Sequence, residues 1–575
     1  MNKYKTLLLS LTSLCLLSGC YDLNKYPYDV VSSGTFWKTE LQAKEGMMGV
    51  YNVMKNSGAY GTYFGLDCMT DIAVGYDDPS YPTFVLGTTT SRTGLVSTKW
   101  QTLYDGVMRA NAVIQNIPKV SMSDELKTQY IAEAKFMRAL YYFNLLDFFG
   151  GVPLYDETVV LDKDFNNLLS PRSSADETRT FILKDLEAAI AGLPVKWADS
   201  DYGRATKGAA YSLRGKVHLF NKNYTDAVKD FEEVVLDPSG KGYGYSLYPN
   251  YANLFKPVGD QSSEMIFAIQ NSGGVGMDYG MPMDFYMGSR SSFGSCWNNV
   301  MASTTLADMY ETKDGKPFNW NDIVPGFNES ATVKDKTFRA TLTGDTKSVA
   351  TYPASKSLLL SMYENRDPRM AQTIILPYTM YKGWVANAPK DCEFVVAKGV
   401  NEKNGFIRNN KGWDTYFFRK FVAEYNMDGG INDRAHTPIN FPLIRYADVL
   451  LMLAECYNEL GNQTDAVKYI NEVRQRPSTN MPKLNSGPSW LQANTKEEVF
   501  KRIVQERAVE FAGEGLRFSD LRRWGLSKQM LNHDEFGFTG TRLFTRQFAD
   551  RDMLWPIPAV EIETNSALIQ NPSWD

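Results

Sequence analysis

Histidine is nearly missing from this chain: His218, His436 and His533 are the only three in 575 residues. A His-rich metal centre is therefore excluded. The six cysteines, at positions 15, 20, 68, 296, 392 and 456, form no C-x-x-C pair, which excludes a zinc ribbon or a thioredoxin-type site. There is no basic excess either. Lys and Arg number 61 against 66 Asp and Glu, a net charge of −5, so no nucleic-acid partner is expected. No H-E-x-x-H, G-x-S-x-G, Walker loop or G-x-G-x-x-G occurs. No D-x-D-x-D-G loop is present to hold calcium. Neither a metal nor a cofactor is expected. After the first twenty residues no uninterrupted apolar run reaches about 18 residues, so no later segment is expected to span a bilayer.

What is present is ordinary for a globular chain: 43% hydrophobic and 22% charged residues, wrong for a disordered one. The length suggests three or four domains at roughly 150 residues each, with a core large enough to need no staples. Aromatics are plentiful at 13%, with 33 Tyr, 31 Phe and 11 Trp. Lys3 and Lys5 precede an apolar run over residues 7–17, the n- and h-regions of an export signal. The run ends in Leu17-Ser18-Gly19-Cys20, which resembles a bacterial lipobox. Residues 1–19 would then be removed and Cys20 acylated, with more than one acyl chain giving a stable anchor. Outside the inner membrane disulfides are permitted. The scattered spacing of Cys68, Cys296, Cys392 and Cys456 offers no framework for them, and buried free thiols are the expected state.

Helical periodicity dominates to about residue 236. Residues 100–117 place Leu103, Val107, Ala110, Val113 and Ile114 on one face, and residues 123–149 form a second such run stopped by Gly150-Gly151-Val152-Pro153. Gly215, Ala227, Phe231 and Val234 fall at the same relative offsets as Ala454, Ala466, Ile470 and Val473. This resembles the tetratricopeptide helix pair, in which small residues let two helices approach and bulky ones fill the gap. A third, split copy runs from Ala139 and Tyr142 to residues 177–191. Residues 238–442 differ: they are rich in Gly, Pro, Asn and aromatics. Short strands are expected at residues 265–269 and 394–396, and a short helix at 306–311.

Several stretches carry a family resemblance. They are Trp100-Gln101-Thr102-Leu103-Tyr104 with Arg109-Ala110-Asn111, and Arg138-Ala139-Leu140-Tyr141-Tyr142 running into Phe149-Gly150-Gly151-Val152-Pro153. Further along come Pro442-Leu443-Ile444-Arg445-Tyr446-Ala447-Asp448, Glu506-Arg507 with Glu510, Glu514-Gly515-Leu516-Arg517, and Asp520 to Trp524. Together, in this order, they resemble the SusD/RagB family of outer-membrane nutrient-binding lipoproteins. The resemblance implies a mainly α SusD-like fold: a tetratricopeptide-type scaffold with a large irregular loop-rich region and a few short strands. It divides the mature chain into a helical region at 20–237, a loop-rich ligand-binding part at 238–442 and a helical part at 443–575. It implies a cell-surface lipoprotein, anchored in the outer membrane, that captures an oligosaccharide without catalysis and delivers it to a SusC-like TonB-dependent transporter. Peptide capture, a surface glycoside hydrolase and a structural assembly subunit are the alternatives. A glycosidase needs only two carboxylates about 5–9.5 Å apart, which 66 acidic residues cannot exclude.

Sugars present flat apolar faces ringed by hydroxyls, so a binder needs exposed aromatic rings beside polar side chains. Two loop regions offer both. Residues 67–92 contribute Asp71, Tyr76, Asp77, Asp78, Tyr81, Phe84 and Arg92; residues 271–299 contribute Asp278, Tyr279, Phe285, Tyr286, Arg290, Trp297 and Asn298. The candidates are Trp297, Tyr286, Tyr279, Phe285, Asn298, Arg290, Tyr81, Asp77 and Arg92. The resemblance places a glycan platform near Trp297. Trp320, Tyr381, Trp384 and Trp413 are held in reserve, and Trp100 is assigned to the core. Thr495 and Glu498 are read as a capping box. Glu506, Arg507, Glu510, Arg517 and Asp520 are read as a buried ion-pair network rather than acid–base machinery, because the planar guanidinium suits carboxylates.

Overall fold

A computed structural model describes residues 36–159, 168–273 and 279–574. Cys20 and Asp278 lie outside the described residues. Helix α1 (Glu40–Asn52) opens on a capping box of Thr39 with Gln42. It packs on α2 (Gly94–Asn116) and α3 (Asp124–Phe149). Ser123 caps the start of α3, and Gly150, at φ 75°, ends it. Then come α4 (Ala175–Gly192), α5 (Lys207–Phe220) and α6 (Tyr224–Val235), each packed on the one before.

The expected small-against-bulky pattern explains these contacts. A Cβ on Gly215 of α5 would stand 2.5 Å from the Phe231 ring of α6, and one on Gly106 of α2 would stand 2.5 Å from the Tyr141 ring of α3. Only hydrogen fits at either place. The chain then leaves the helical layer and returns as α8 (Tyr446–Glu459), α9 (Gln463–Arg474) and α10 (Lys496–Phe511), after a one-turn helix α7 (Met283–Met287) in the excursion. Although more than two hundred residues separate them in sequence, α6 packs directly on α8, and the Tyr457 hydroxyl donates to Glu232 across that seam. The stack of helix pairs is continuous in space while interrupted in sequence. Among the described residues no helix is long and apolar enough to cross a membrane.

Short antiparallel strand pairs organise the excursion. Strand β1 (Ala73–Gly75) pairs with β3 (Val300–Ala302), and β2 (Met265–Ile269) pairs with β4 (Phe441–Arg445). The excursion thus begins and ends side by side. The expected helix at 306–311 is present as Thr304–Met309, capped by Ser303. The expected strand at 394–396 is not: the neighbouring strand ends at Glu393. The Phe394 and Val395 N–H groups bond instead to the Thr379 and Glu393 carbonyls, forming a turn rather than a ladder. Cys68, Cys296, Cys392 and Cys456 are free and buried. Trp100, Trp320 and Tyr381 all belong to the core.

The charged motifs of the C-terminal third form an ion-pair lattice at the seam between scaffold and excursion. Arg369, Arg445, Arg474, Arg476, Arg502 and Lys420 interleave with Glu264, Glu311, Asp367, Glu506, Glu510 and Glu514. Charges balance, and each carboxylate meets at least one cation. A second cluster joins Arg507 to Asp448 and Asp520, and Arg523 to Glu455 and Asp520. The Thr495–Glu498 capping box is present at the start of α10.

Lys99 of α2 stands outside this pairing. It is 3% exposed, has no carboxylate in ion-pair range among the described residues, and lies 4.1 Å from the centre of the Phe148 ring. Burial pulls its ammonium down to about 7, far below the ordinary lysine range. The folded state therefore binds fewer protons than the unfolded one between pH about 7 and about 10, and Lys99 is most destabilising below that window. Lys99→Met is expected to raise the melting temperature most near pH 6, the gain shrinking toward pH 10. A melting temperature lowered at every pH would show that the ammonium is needed where it sits.

Candidate functional site

The two loop regions singled out from sequence meet because β1 pairs with β3. The register sets Gly75 opposite Val300, so the residues following β1 lie against those preceding β3. Two bonds lock the junction. The Tyr76 hydroxyl donates to the Trp297 carbonyl at 2.7 Å, and the Asn299 side chain donates to the Asp78 carbonyl at 2.6 Å. A third loop joins them: Ala302 bridges to Tyr416, drawing in the turn Asn409-Asn410-Lys411-Gly412-Trp413. Within that turn Asn409 accepts the N–H groups of Lys411 and Gly412, and Gly412 takes φ 76°, as such a turn requires.

On this frame sits a surface of rings. Trp297 is 40% exposed and packs 4.7 Å from Phe285, which lies 4.8 Å from Tyr286. Half-buried Tyr76 stands edge-on to half-buried Trp413 at 5.8 Å. Lys411 lies over the Tyr76 ring at 5.2 Å, and Arg434 over Phe285 at 4.7 Å. Asn410 donates to the Tyr76 hydroxyl at 3.0 Å and accepts from Arg290 at 2.7 and 3.1 Å. Exposed Asp77 and Asp78 occupy the edge nearest Tyr286, and burial followed by these two carboxylates raises the Tyr286 phenol. Beneath Trp297 the Cys296 thiol meets Asp284 at 3.4 Å, and burial pushes that carboxyl up to about 7. A cleft of about 650 Å³ adjoins the surface and takes Arg408, Asn409 and Trp413 as part of its wall, a volume suited to a small ligand.

Trp297, Tyr286, Phe285, Arg290 and Asp77 are thus brought together. Tyr279 is exposed, and its carbonyl accepts from Lys55. Three expectations need correction. Tyr81 is 5% exposed, adopts φ 53° and packs 5.8 Å from Trp555, so it is a core ring with no face for a ligand. Asn298 is fully buried. Its side chain accepts the Asn410 N–H at 2.9 Å and donates to Asn409 at 3.3 Å, so it positions the third loop from beneath. Arg92 pairs with Glu563 in the C-terminal segment, outside the ring cluster. The third loop, with Asn410, Lys411 and Trp413, and the separate Arg434 complete the surface; only Trp413 was in reserve. The available signal was a Gly-containing turn of Asn and Lys ending in Trp. Another cleft, of about 640 Å³, is lined by Trp100, Tyr104, Tyr155 and Leu568. Its wall is largely apolar, and Trp100 and Tyr104 pack on each other.

Stacked helix pairs carrying loop-borne rings and amides define a ligand-binding scaffold. The comparisons place it in a family. A family model described as "SusD family" matches residues 263–574, and one described as "Starch-binding associating with outer membrane" matches residues 43–219. The chain belongs to the SusD family. It is 25% identical to a SusD-like protein of Formosa agariphila over 97% of this chain and 96% of that one. It is 26% identical to the starch-binding protein SusD of Bacteroides thetaiotaomicron over 79% of this chain and 74% of that one. A crystal structure of a SusD-like protein from Bacteroides fragilis superposes with TM-score 0.75 at 24% identity, covering 96% of this chain and all of the other. These likenesses bear out the mainly α SusD-like fold.

Proposed function

We propose that this protein is a cell-surface lipoprotein that captures an oligosaccharide without altering it and hands it to a TonB-dependent transporter in the outer membrane. The observation that carries the reading is the loop-borne cluster of exposed Trp297 with half-buried Tyr76 and Trp413, set among Arg290, Asn410 and Lys411. Rings of this kind stack on sugar faces while amide and guanidinium groups bond the hydroxyls. Relatives named for starch binding support the ligand class. Hydrolysis would need carboxylates flanking the bond to be cut. Here Asp77 and Asp78 are consecutive on one loop, and the facing loop offers Asn410 and Lys411 instead. The stacked helices provide a broad face suited to docking on a transporter.

Titration calorimetry of the purified mature protein against a panel of oligosaccharides and peptides, followed by chromatography of the recovered ligand, tests this. Saturable binding of a glycan recovered intact is the expected outcome. Cleaved product would establish a hydrolase instead, and silence toward every glycan would end the reading. Anchorage is tested separately: Cys20→Ala is expected to move the protein from the membrane fraction to the soluble one, and its persistence in the membrane fraction would refute acylation at that residue.

A further inference from the structure

We infer that the oligosaccharide bound here carries an acidic group, a carboxylate or a sulfate ester, held by a pair of guanidiniums at the end of the ring surface; this rests on the glycan-binding reading above. Arg290 and Arg434 come from different loops and converge on one atom. Both donate through Nη1 to the Ser295 carbonyl, at 3.3 and 2.5 Å, and Arg434 also reaches the Gly294 carbonyl at 2.6 Å. Sharing one acceptor holds the two nitrogens within about 6 Å of each other, where like charges repel.

Neither guanidinium pairs with a carboxylate among the described residues. Of the described arginines, only Arg172, Arg290, Arg366 and Arg434 have no carboxylate of a described residue within 4.0 Å. Arg172 and Arg366 lie elsewhere and bond mostly to main-chain carbonyls. At the ring surface the acceptors are neutral throughout: main-chain carbonyls and the Asn410 amide oxygen. They fix the direction of both guanidiniums and leave their charge intact. After these bonds Arg434 keeps Nε and Nη2 free of any acceptor among the described residues, and Arg290 keeps an N–H on each terminal nitrogen. Lys411, also without a carboxylate partner among the described residues, adds a third cation beside Tyr76.

The acidic groups around the pair do not cancel it. Asp77 and Asp78 lie at the Tyr286 edge. Asp284 is fully buried beneath the loop, with its carboxyl raised to about 7. Asp433 precedes Arg434 and accepts the Ala435 N–H. An oxyanion set between the two guanidiniums would gain charge-assisted, fork-shaped hydrogen bonds and relieve their repulsion. Arg434 rests on Phe285 and Phe285 on Trp297. A sugar ring on Trp297 therefore brings its neighbouring acidic substituent to the pair.

The test uses calorimetry on the purified mature protein with three oligosaccharides of matched length: a neutral glucan, an oligouronate and a sulfated glycan. At low salt one acidic ligand is expected to bind about tenfold more tightly than the neutral one, the advantage disappearing near 0.5 M salt. The oligouronate and sulfated arms tell which acid is recognised. Arg434→Gln, and the double variant Arg290→Gln with Arg434→Gln, are expected to remove that advantage, so that the acidic ligands bind no more tightly than the neutral one. Trp297→Ala weakens all ligands. Thermal melts confirm folding, and Arg434→Gln alone serves if the double variant fails to fold. Neutral glycan bound as tightly as both acidic ones, or an acidic advantage that survives Arg434→Gln, overturns the inference while glycan capture stands. Failure of all three ligands to bind removes the glycan reading and this inference with it.

Discussion

Glu510→Ala is expected to destabilise the protein by about 3–5 kcal/mol, the range for breaking a buried ion pair by removing one partner. Glu510 is completely buried in α10 and accepts hydrogen bonds from Arg369, Arg445 and Arg476 at 2.8 Å each. Its removal leaves three guanidiniums short of a counter-charge in the seam between scaffold and excursion. Burial alone would raise the Glu510 carboxyl, but Arg476, Arg445 and Arg369 overcome it and hold the group far below the usual carboxylate range. Against burial, Lys216 and Arg507 lower Asp448, and Arg507 and Arg523 lower Asp520. For a carboxylate depressed in the folded state, the stabilisation is present above the unfolded value, near pH 4.3 for Glu, and is lost as pH falls toward the folded value. Denaturant titrations across pH 7 to 3 should show stability falling steeply in acid for the parent and less steeply for Glu510→Ala. A variant within 1 kcal/mol of the parent at neutral pH would mean that the lattice re-pairs without Glu510.

The second large effect concerns the ligand. Trp297→Ala is expected to weaken glycan binding by about 1–2 kcal/mol, roughly five- to thirtyfold, with the melting temperature unchanged. The ring is 40% exposed and its ring contact is with half-buried Phe285, so little of the fold depends on it. Trp413→Ala offers a comparison, because its ring packs on Tyr76 and Phe544. Calorimetry on the folded variant is the measurement. Unchanged affinity would remove Trp297 from the site.

The elements legible in the sequence were those written in local spacing. The Thr495–Glu498 cap and the short helix near residue 306 follow from residues within one or two turns of each other, and Gly215 against Phe231 follows from a repeated offset of sixteen residues. The role of Glu506, Arg507 and Glu510 was legible too, because several carboxylates and guanidiniums on a helix with an apolar face must neutralise each other. The direct seating of α6 on α8 was not, since it depends on where a long excursion returns. The same limit explains the site. Both loops were recognised by composition, but Tyr81 and Phe285 look alike in a sequence. Only the tertiary fold puts Trp555 beside Tyr81 and leaves Phe285 under Trp297. Arg434 was missed because its partner atom is a main-chain carbonyl, which no residue type announces.

The pairing of β2 with β4 has a consequence for how such proteins diversify. It clamps both ends of the intervening segment at adjacent points, beside a helical stack that is already complete. The entropy of closing a loop grows only with the logarithm of its length. Insertions, deletions and exchanged turns between those fixed points therefore add little to the cost of folding. A lineage can rewrite which nutrient it grips by editing this segment, while the helices beneath retain their spacing.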